Sequence, residues 1–254
     1  MSPAAKKALA KTGAGLFWIL LWALLAHLVG QELLLPSPLL VVKTLLNLAS
    51  GADFWLTLLN SLARILSGML AGTLLGVLLA VLTHGSAVCR AIIAPFMSLV
   101  KSTPVASFII LALIWLGRGV VPLFITALMV MPVVWANVSE GLRAQDEKLL
   151  EVARVFRLPR RRVIFSLMLP TVLPYFRSAL CSALGLGWKA GVAAEVLTVP
   201  QRSVGRMIYE SKLYLETPEL FAWTVTVIAV SFLIERLLLR LVSGLWREGG
   251  GEYA

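Results

Sequence analysis

The stretch EVARVFRLPRRRVIFSLMLP, residues 151–170, is a basic, helix-like island set between long apolar runs. Between 140 and 162 the chain carries Arg143, Lys148, Arg154, Arg157, Arg160, Arg161 and Arg162 against Glu140, Asp146, Glu147 and Glu151. So dense a set of charges does not enter hydrocarbon. The segment lacks the glycine and serine content of a flexible linker, and helix formers run through it. Leu149, Ala153 and Phe156 recur at i, i+4 and i+7, an apolar stripe with charge on the other faces. Pro159 ends that helix at or before Leu158 and suits the first turn of a second short helix, while Pro170 and Pro174 mark entry to the next apolar run. The expected product is a helix, turn and helix knob of the kind that sits in a groove of another protein.

Outward from the island the chain reads as an integral membrane protein. Of its 254 residues 59% are hydrophobic and the mean hydropathy is +0.89, well beyond what a soluble core of that size needs. Runs near 15–32, 61–83, 91–116, 119–139, 171–193 and 219–242 approach the roughly 17–25 residues that cross hydrocarbon as a helix. The expected fold is all-α, a single domain over 1–254 with about six spans, a cytoplasmic loop at 140–170 between the fourth and fifth, and an outer loop at 194–218. Reading the weaker runs as buried helices of a soluble protein requires a polar outer face that they lack.

Charge gives the orientation. Lys6, Lys7 and Lys11 precede the first run as in a secretory signal, but no small-residue cleavage site follows Leu28, so an uncleaved first span is expected. With the N-terminus inside, the inner segments hold those lysines, Arg90, the basic residues of the island, Arg177, Arg236, Arg240 and Arg247. The outer segments hold Lys43, Arg118, Arg202, Arg206 and Lys212. This asymmetry satisfies the positive-inside rule and places both termini in the cytoplasm. Juxtamembrane cations face anionic headgroups, so the net charge of +10 needs no nucleic acid as partner. Cys89 and Cys181 are far apart with no histidine near either, and His27 and His84 are isolated, so neither a metal site nor a disulfide framework is expected.

Within the spans three features stand out. Gly68, Gly72 and Gly76 share one helix face where another backbone can approach, either inside the subunit or across a dimer. Pro95 and Pro104 each remove an intrahelical bond, and a helix broken at membrane depth survives only where protein or a water-filled cavity covers the freed carbonyls. Lys101, Ser102, Thr103 and Pro104 sit at the second expected break, with Lys101 either snorkelling to the interface or lining a solute path. In GLGWKAGVAAEVL, Gly187 and Gly191 form another close-packing face. Lys189 and Glu195, six residues apart, do not meet on a helix and need other partners, as path-lining charges or as a packed helix end.

The island also resembles the cytoplasmic loop signature of the binding-protein-dependent permeases of ABC importers: EAA, then glycine, then a hydrophobic residue shortly before Leu-Pro. Glu151 and Ala153 match its first and third positions, and Leu167, Leu169 and Pro170 match its end. Arg157 stands where the family has glycine, which would bend without side-chain bulk. LLPSP, KSTPVASFIILALIWLGRG, GWKAGVAAE and TPELFAWTVTVIAVSFLIERLLLRL are similar to the branch importing nitrate, sulfonates, taurine, bicarbonate and vitamin precursors.

The resemblance implies a transport subunit of a bacterial plasma (inner) membrane, not an enzyme, that forms the path for a small anionic solute. Its implied partners are an ABC ATPase, an extracytoplasmic solute-binding protein and a second permease, here a second copy. Glu151, Ala153, Phe156, Arg157, Leu169 and Pro170 would couple to the ATPase. Lys101, Ser102, Thr103, Pro104, Lys189 and Glu195 are the candidate solute path. No G-x-x-x-x-G-K-[ST] loop occurs, so ATP and Mg are expected on the partner and no cofactor on this chain. The rivals are a stand-alone secondary transporter with inverted repeats, which needs no such knob, and a membrane enzyme, whose paired carboxylates or histidines within the spans are missing from the sequence.

Overall fold

The structure, a computed structural model, describes residues 3–247, and the side chains of 13–237 and Arg240. The chain ends expected in the cytoplasm, and the side chains of Lys6, Lys7, Lys11 and Arg247, lie outside the described residues. Among these the chain is helical, with no strand: α1 Pro3–Val29, α2 Pro38–Ser50, α3 Ala52–Gly85, α4 Ala87–Ser102, α5 Val105–Trp115, α6 Val121–Arg143, α7 Glu147–Val155, α8 Arg160–Val163, α9 Leu169–Thr198, α10 Val204–Leu213 and α11 Thr217–Arg247.

Local chemistry sets many of the boundaries. Ser37 caps α2 by accepting from the Leu40 amide, ahead of Pro38 in the first turn, and Ser86 caps α4 through the Cys89 amide. Each serine side chain satisfies an amide that the helix start leaves without a carbonyl.

Among the described residues four helices are long and apolar enough to cross a membrane: Ala52–Gly85, Val121–Arg143, Arg160–Thr198 and Thr217–Leu237. A fifth crossing arises if α4 and α5 count together, although they meet at 109°. In α1, which runs over 27 residues, the part with described side chains, Gly13–Val29, is a further apolar helix. Against about six spans expected, the described residues thus give four, or five with the bent pair.

The expected run at 91–116 is not one straight span. Pro95 lies inside α4 without ending it, and the break falls at Thr103–Pro104 alone. Pro170 and Pro174 do not mark the start of a span, because one continuous helix already begins at Arg160 and runs to Thr198. A π-helical turn at Ile164–Met168 bonds the Leu169 amide to the Ile164 carbonyl, one residue farther back than α-helical register. That wider turn comes just where the ring of Pro170 would otherwise crowd the preceding carbonyls.

The core is α3, α6 and α9. Ile65 and Met69 of α3, Val130 and Val134 of α6, and Ala179, Ala183 and Trp188 of α9 form one buried cluster. Glycines permit the close approach. A Cβ on Gly68 would collide with the Leu123 carbonyl, one on Gly72 would sit 2.5 Å from the Ala127 carbonyl, and one on Gly76 2.8 Å from the Met131 carbonyl. The face of Gly68, Gly72 and Gly76 is therefore occupied by α6 of the same chain. Gly187 and Gly191 of α9 likewise admit Val130 and, from two helices, Thr126 and Ile65. At one end Thr83 ties α3 to α4 and α6, its carbonyl accepting from Arg90 Nε and its hydroxyl from Trp135 Nε1. At the other, Phe54 stacks on Trp223 with centroids 4.8 Å apart, above Val204 of α10.

Candidate functional site

The island folds as α7 followed by a tight turn. Asp146 caps α7, its carboxylate accepting from the Lys148 amide at 2.8 Å, and Glu147 in the first turn complements the positive end of the helix dipole. Glu151, a signature residue, is exposed in the middle of α7.

Arg157 takes the left-handed conformation, φ 47°. The Leu158 amide then bonds the Ala153 carbonyl at 2.9 Å and the Arg157 amide bonds the Arg154 carbonyl at 3.0 Å. Those two bonds define a Schellman C-cap with Arg157 at the position that favours glycine. The family's glycine thus has a physical reason, and arginine meets the same geometry at some backbone strain.

Ala153 is buried, 4% exposed, so it does not present itself to a partner as the stripe of Leu149, Ala153 and Phe156 implied. With Leu150, Leu158, Val163, Ile164 and Met168 it lines a shallow groove between α7 and the long helix. The outward apolar residues are Leu149, Val152, Val155 and Phe156, the last 73% exposed. Leu169 and Pro170 are exposed at the start of α9, just past the Met168 wall of that groove.

The expected solute-path residues divide into two sets. Lys101, Ser102 and Pro104 are exposed and Thr103 half-buried at the bend between α4 and α5. The hydroxyls of Ser102 and Thr103 and the Thr103 amide all donate to the Leu99 carbonyl, so these side chains close the end of α4. α9 backs the bend, since Ala190 and Ala194 pack with Val100, Ile109 and Ala112. Lys189 is exposed on α9.

Glu195, expected as a path-lining charge or a packed helix end, is fully buried. Its Oε1 accepts from Arg64 Nη1 at 2.6 Å, and its Oε2 from Ser61 Oγ at 2.7 Å and the Gly205 amide at 3.2 Å. Ser61 Oγ also accepts from the Val204 amide at 2.8 Å. This network joins α3, α9 and α10. Ser61 and Arg64 went unread in the sequence, although an arginine inside an apolar run is itself a signal that a buried partner exists.

A family model described as "binding-protein-dependent transport system inner membrane component" matches residues 72–246. The taurine transport system permease protein TauC of Escherichia coli (strain K12) is 26% identical over 220 residues, 84% of this chain and 80% of the relative. A putative aliphatic sulfonates transport permease protein, SsuC of Bacillus subtilis (strain 168), is 29% identical over 239 residues, 91% and 84% of the two chains. The bicarbonate transport system permease protein CmpB of Synechocystis sp. (strain ATCC 27184 / PCC 6803 / Kazusa) is 26% identical over 233 residues, 86% and 82%. Among solved structures, a crystal structure of an amino acid ABC transporter with histidines superposes with a TM-score of 0.57 at 16% identity, covering 74% of this chain and 90% of that one. At that identity it speaks for the fold alone.

Proposed function

The chain belongs to the family of binding-protein-dependent transport system inner membrane components, and from that premise we propose that two copies of it enclose the path for a small anionic solute, driven by a separate ATPase docked on α7. It is a multi-pass inner-membrane permease of an ABC importer, a transport subunit and not an enzyme, and the family implies an ATPase and a solute-binding protein as partners. ATP and Mg bind that ATPase. In the proposed orientation, with α1 as a sixth crossing, α7 and both termini are cytoplasmic, and α10 lies on the outer face.

The observation that carries the docking reading is the outward stripe of Leu149, Val152, Val155 and Phe156 on a short capped helix ringed by charge. Such a stripe suits a groove in a partner. The connections on either side are short: α6 ends at Arg143 before α7, and the helix after the Arg157 turn runs unbroken from Arg160 to Thr198. A push on α7 by the closing ATPase therefore passes into α6 and α9 and rocks the spans as rigid bodies. The anionic solute is supported by the relatives, whose names specify taurine, aliphatic sulfonates and bicarbonate, and by exposed Lys101 and Lys189, which two copies would double.

The test is a pull-down of the tagged chain from detergent with an ATPase assay of the eluate. Wild type is expected to bring down an ATPase that Phe156→Asp releases, with the permease's thermal midpoint unchanged because Phe156 is exposed. Retention of the ATPase by Phe156→Asp would remove α7 from the docking role. A wild-type eluate without ATPase would overturn the reading.

A further inference from the structure

We propose that the recess between the α5–α6 turn, the α9–α10 turn and α10 is a binding site for a small oxoanion bearing a short aliphatic tail. The proposal rests on the importer reading above and on its assignment of α10 to the outer face.

Arg64, Arg118 and Arg206 line one cavity of about 560 Å³ together with Gln201 and Glu210. A neighbouring cavity of about 510 Å³ shares Arg118 and Val199 and adds Lys212 and Tyr209. Both are of small-molecule size. Of the outer-segment cations named from the sequence, Arg118, Arg206 and Lys212 meet here, joined by Arg64 from within α3.

The charges do not cancel. Arg64 is paired with Glu195, and Arg206 Nε with Glu210 at 2.7 Å. Arg118 and Lys212 form no such pair among the described residues, which leaves the recess cationic. A guanidinium carries five donors in a fixed fork, and each paired arginine gives its carboxylate one nitrogen, so further donors remain for an anion.

The site is also built in advance. Glu195, fully buried and held by Ser61 and the Gly205 amide, fixes Arg64, so little side-chain freedom is lost on binding. In this role Glu195 is a positioning residue. The turn carrying Pro200 and Gln201 is flanked by Val199 at φ 48° and Arg202 at φ 47°, two non-glycine residues in left-handed strain of the sort stored at functional sites.

The second cavity specifies the tail. Leu113, Leu197, Ile208 and Leu220 supply an apolar wall beside Arg118, so a charged head at the arginines leaves a short chain of methylenes against them. Each methylene buried there should tighten binding roughly three- to fourfold, the equivalent of about 0.8 kcal/mol.

The experiment is titration calorimetry on the full-length chain in lipid nanodiscs at low ionic strength, with methanesulfonate, 1-butanesulfonate and 1-butylammonium as probes. Saturable binding of 1-butanesulfonate, at least tenfold tighter than methanesulfonate, is expected. Arg118→Gln should weaken both sulfonates about tenfold, Leu197→Ser should remove the preference for the longer tail, and Lys43→Gln on α2 should change neither. No saturable sulfonate binding, or Arg118→Gln binding like wild type, overturns the site, and equal affinity for the two sulfonates overturns the tail. Co-purification of the ATPase with the same preparations reports on the importer reading independently. If the ATPase is retained while sulfonates fail to bind, the recess alone falls; binding of 1-butylammonium in their place overturns the anion reading itself.

Discussion

Glu195 and Arg64 stand 131 residues apart in sequence and 2.6 Å apart in space, with the carboxylate sealed from solvent. Removing one partner of a buried pair leaves the other charged and unpaired, a loss of about 3–5 kcal/mol. Glu195→Met is therefore expected to lower the thermal midpoint in detergent strongly, since the Ser61 hydroxyl and Gly205 amide lose their acceptor as well. Arg64→Met combined with Glu195→Met should recover part of that loss, because the uncompensated charge goes too. A double-mutant cycle of unfolding midpoints measures the coupling, and additive effects would contradict the pair as described.

At the end of α7, Arg157→Gly should strengthen the turn. A left-handed L-residue is disfavoured by about 1–2 kcal/mol, part of which glycine returns through its freer unfolded chain, so a net gain of about 0.5–1 kcal/mol is expected. Hydrogen exchange of the Arg157 and Leu158 amides, which close the cap, should slow in the variant. Faster exchange would contradict the strain assigned to Arg157.

Two glycine substitutions should move in opposite directions. A Cβ on Gly72 would lie 2.5 Å from the Ala127 carbonyl and 2.9 Å from its Cα, so Gly72→Ala forces α3 off α6 at a cost of about 1–3 kcal/mol. Gly185 on α9 has open space around it, and Gly185→Ala should stabilise by up to about 1 kcal/mol through helix propensity. Thermal melts of the two variants give the comparison.

Ala153→Asp and Phe156→Asp separate folding from docking. Ala153 is buried against the turn, so a carboxylate there should open it and expose 147–158 to limited proteolysis. Phe156→Asp should leave the cleavage pattern unchanged while releasing the ATPase. Identical cleavage for both would contradict the burial of Ala153.

At the bend between α4 and α5, Lys101→Ala should reduce anion uptake by the reconstituted importer about tenfold without altering its thermal midpoint, because Lys101 is exposed. Unchanged uptake would take Lys101 out of the solute path.

The family, the helical class and the helix that ends in the island were legible because each is written in a short window: apolar runs of spanning length, a charge-dense segment that no bilayer admits, and prolines that end or begin helices. The same windows misled where a local rule has more than one solution. Pro95 and Pro170 were both read as punctuation, yet α4 runs through the first, and a π-helical turn leads the long helix into the second. The stripe of Leu149, Ala153 and Phe156 has the right period, but its middle member is buried, its carbonyl accepting from the Leu158 amide where the chain turns back.

Apolar composition, helix signals and the charged island are enough to put this chain in a bilayer, to mark its helices, and to make the loop after α6 a folded element with the family's mark upon it. Hydropathy, capping and helical period act over a turn or two of chain, so they survive without knowledge of the fold. Packing sets what those windows do not reach: Glu195 pairs with Arg64, the glycines of α3 receive α6, and Arg118 and Arg206 line one recess with Arg64 beside Lys212. Those relationships join residues far apart in sequence, and the packing of α3, α6 and α9 brings them together.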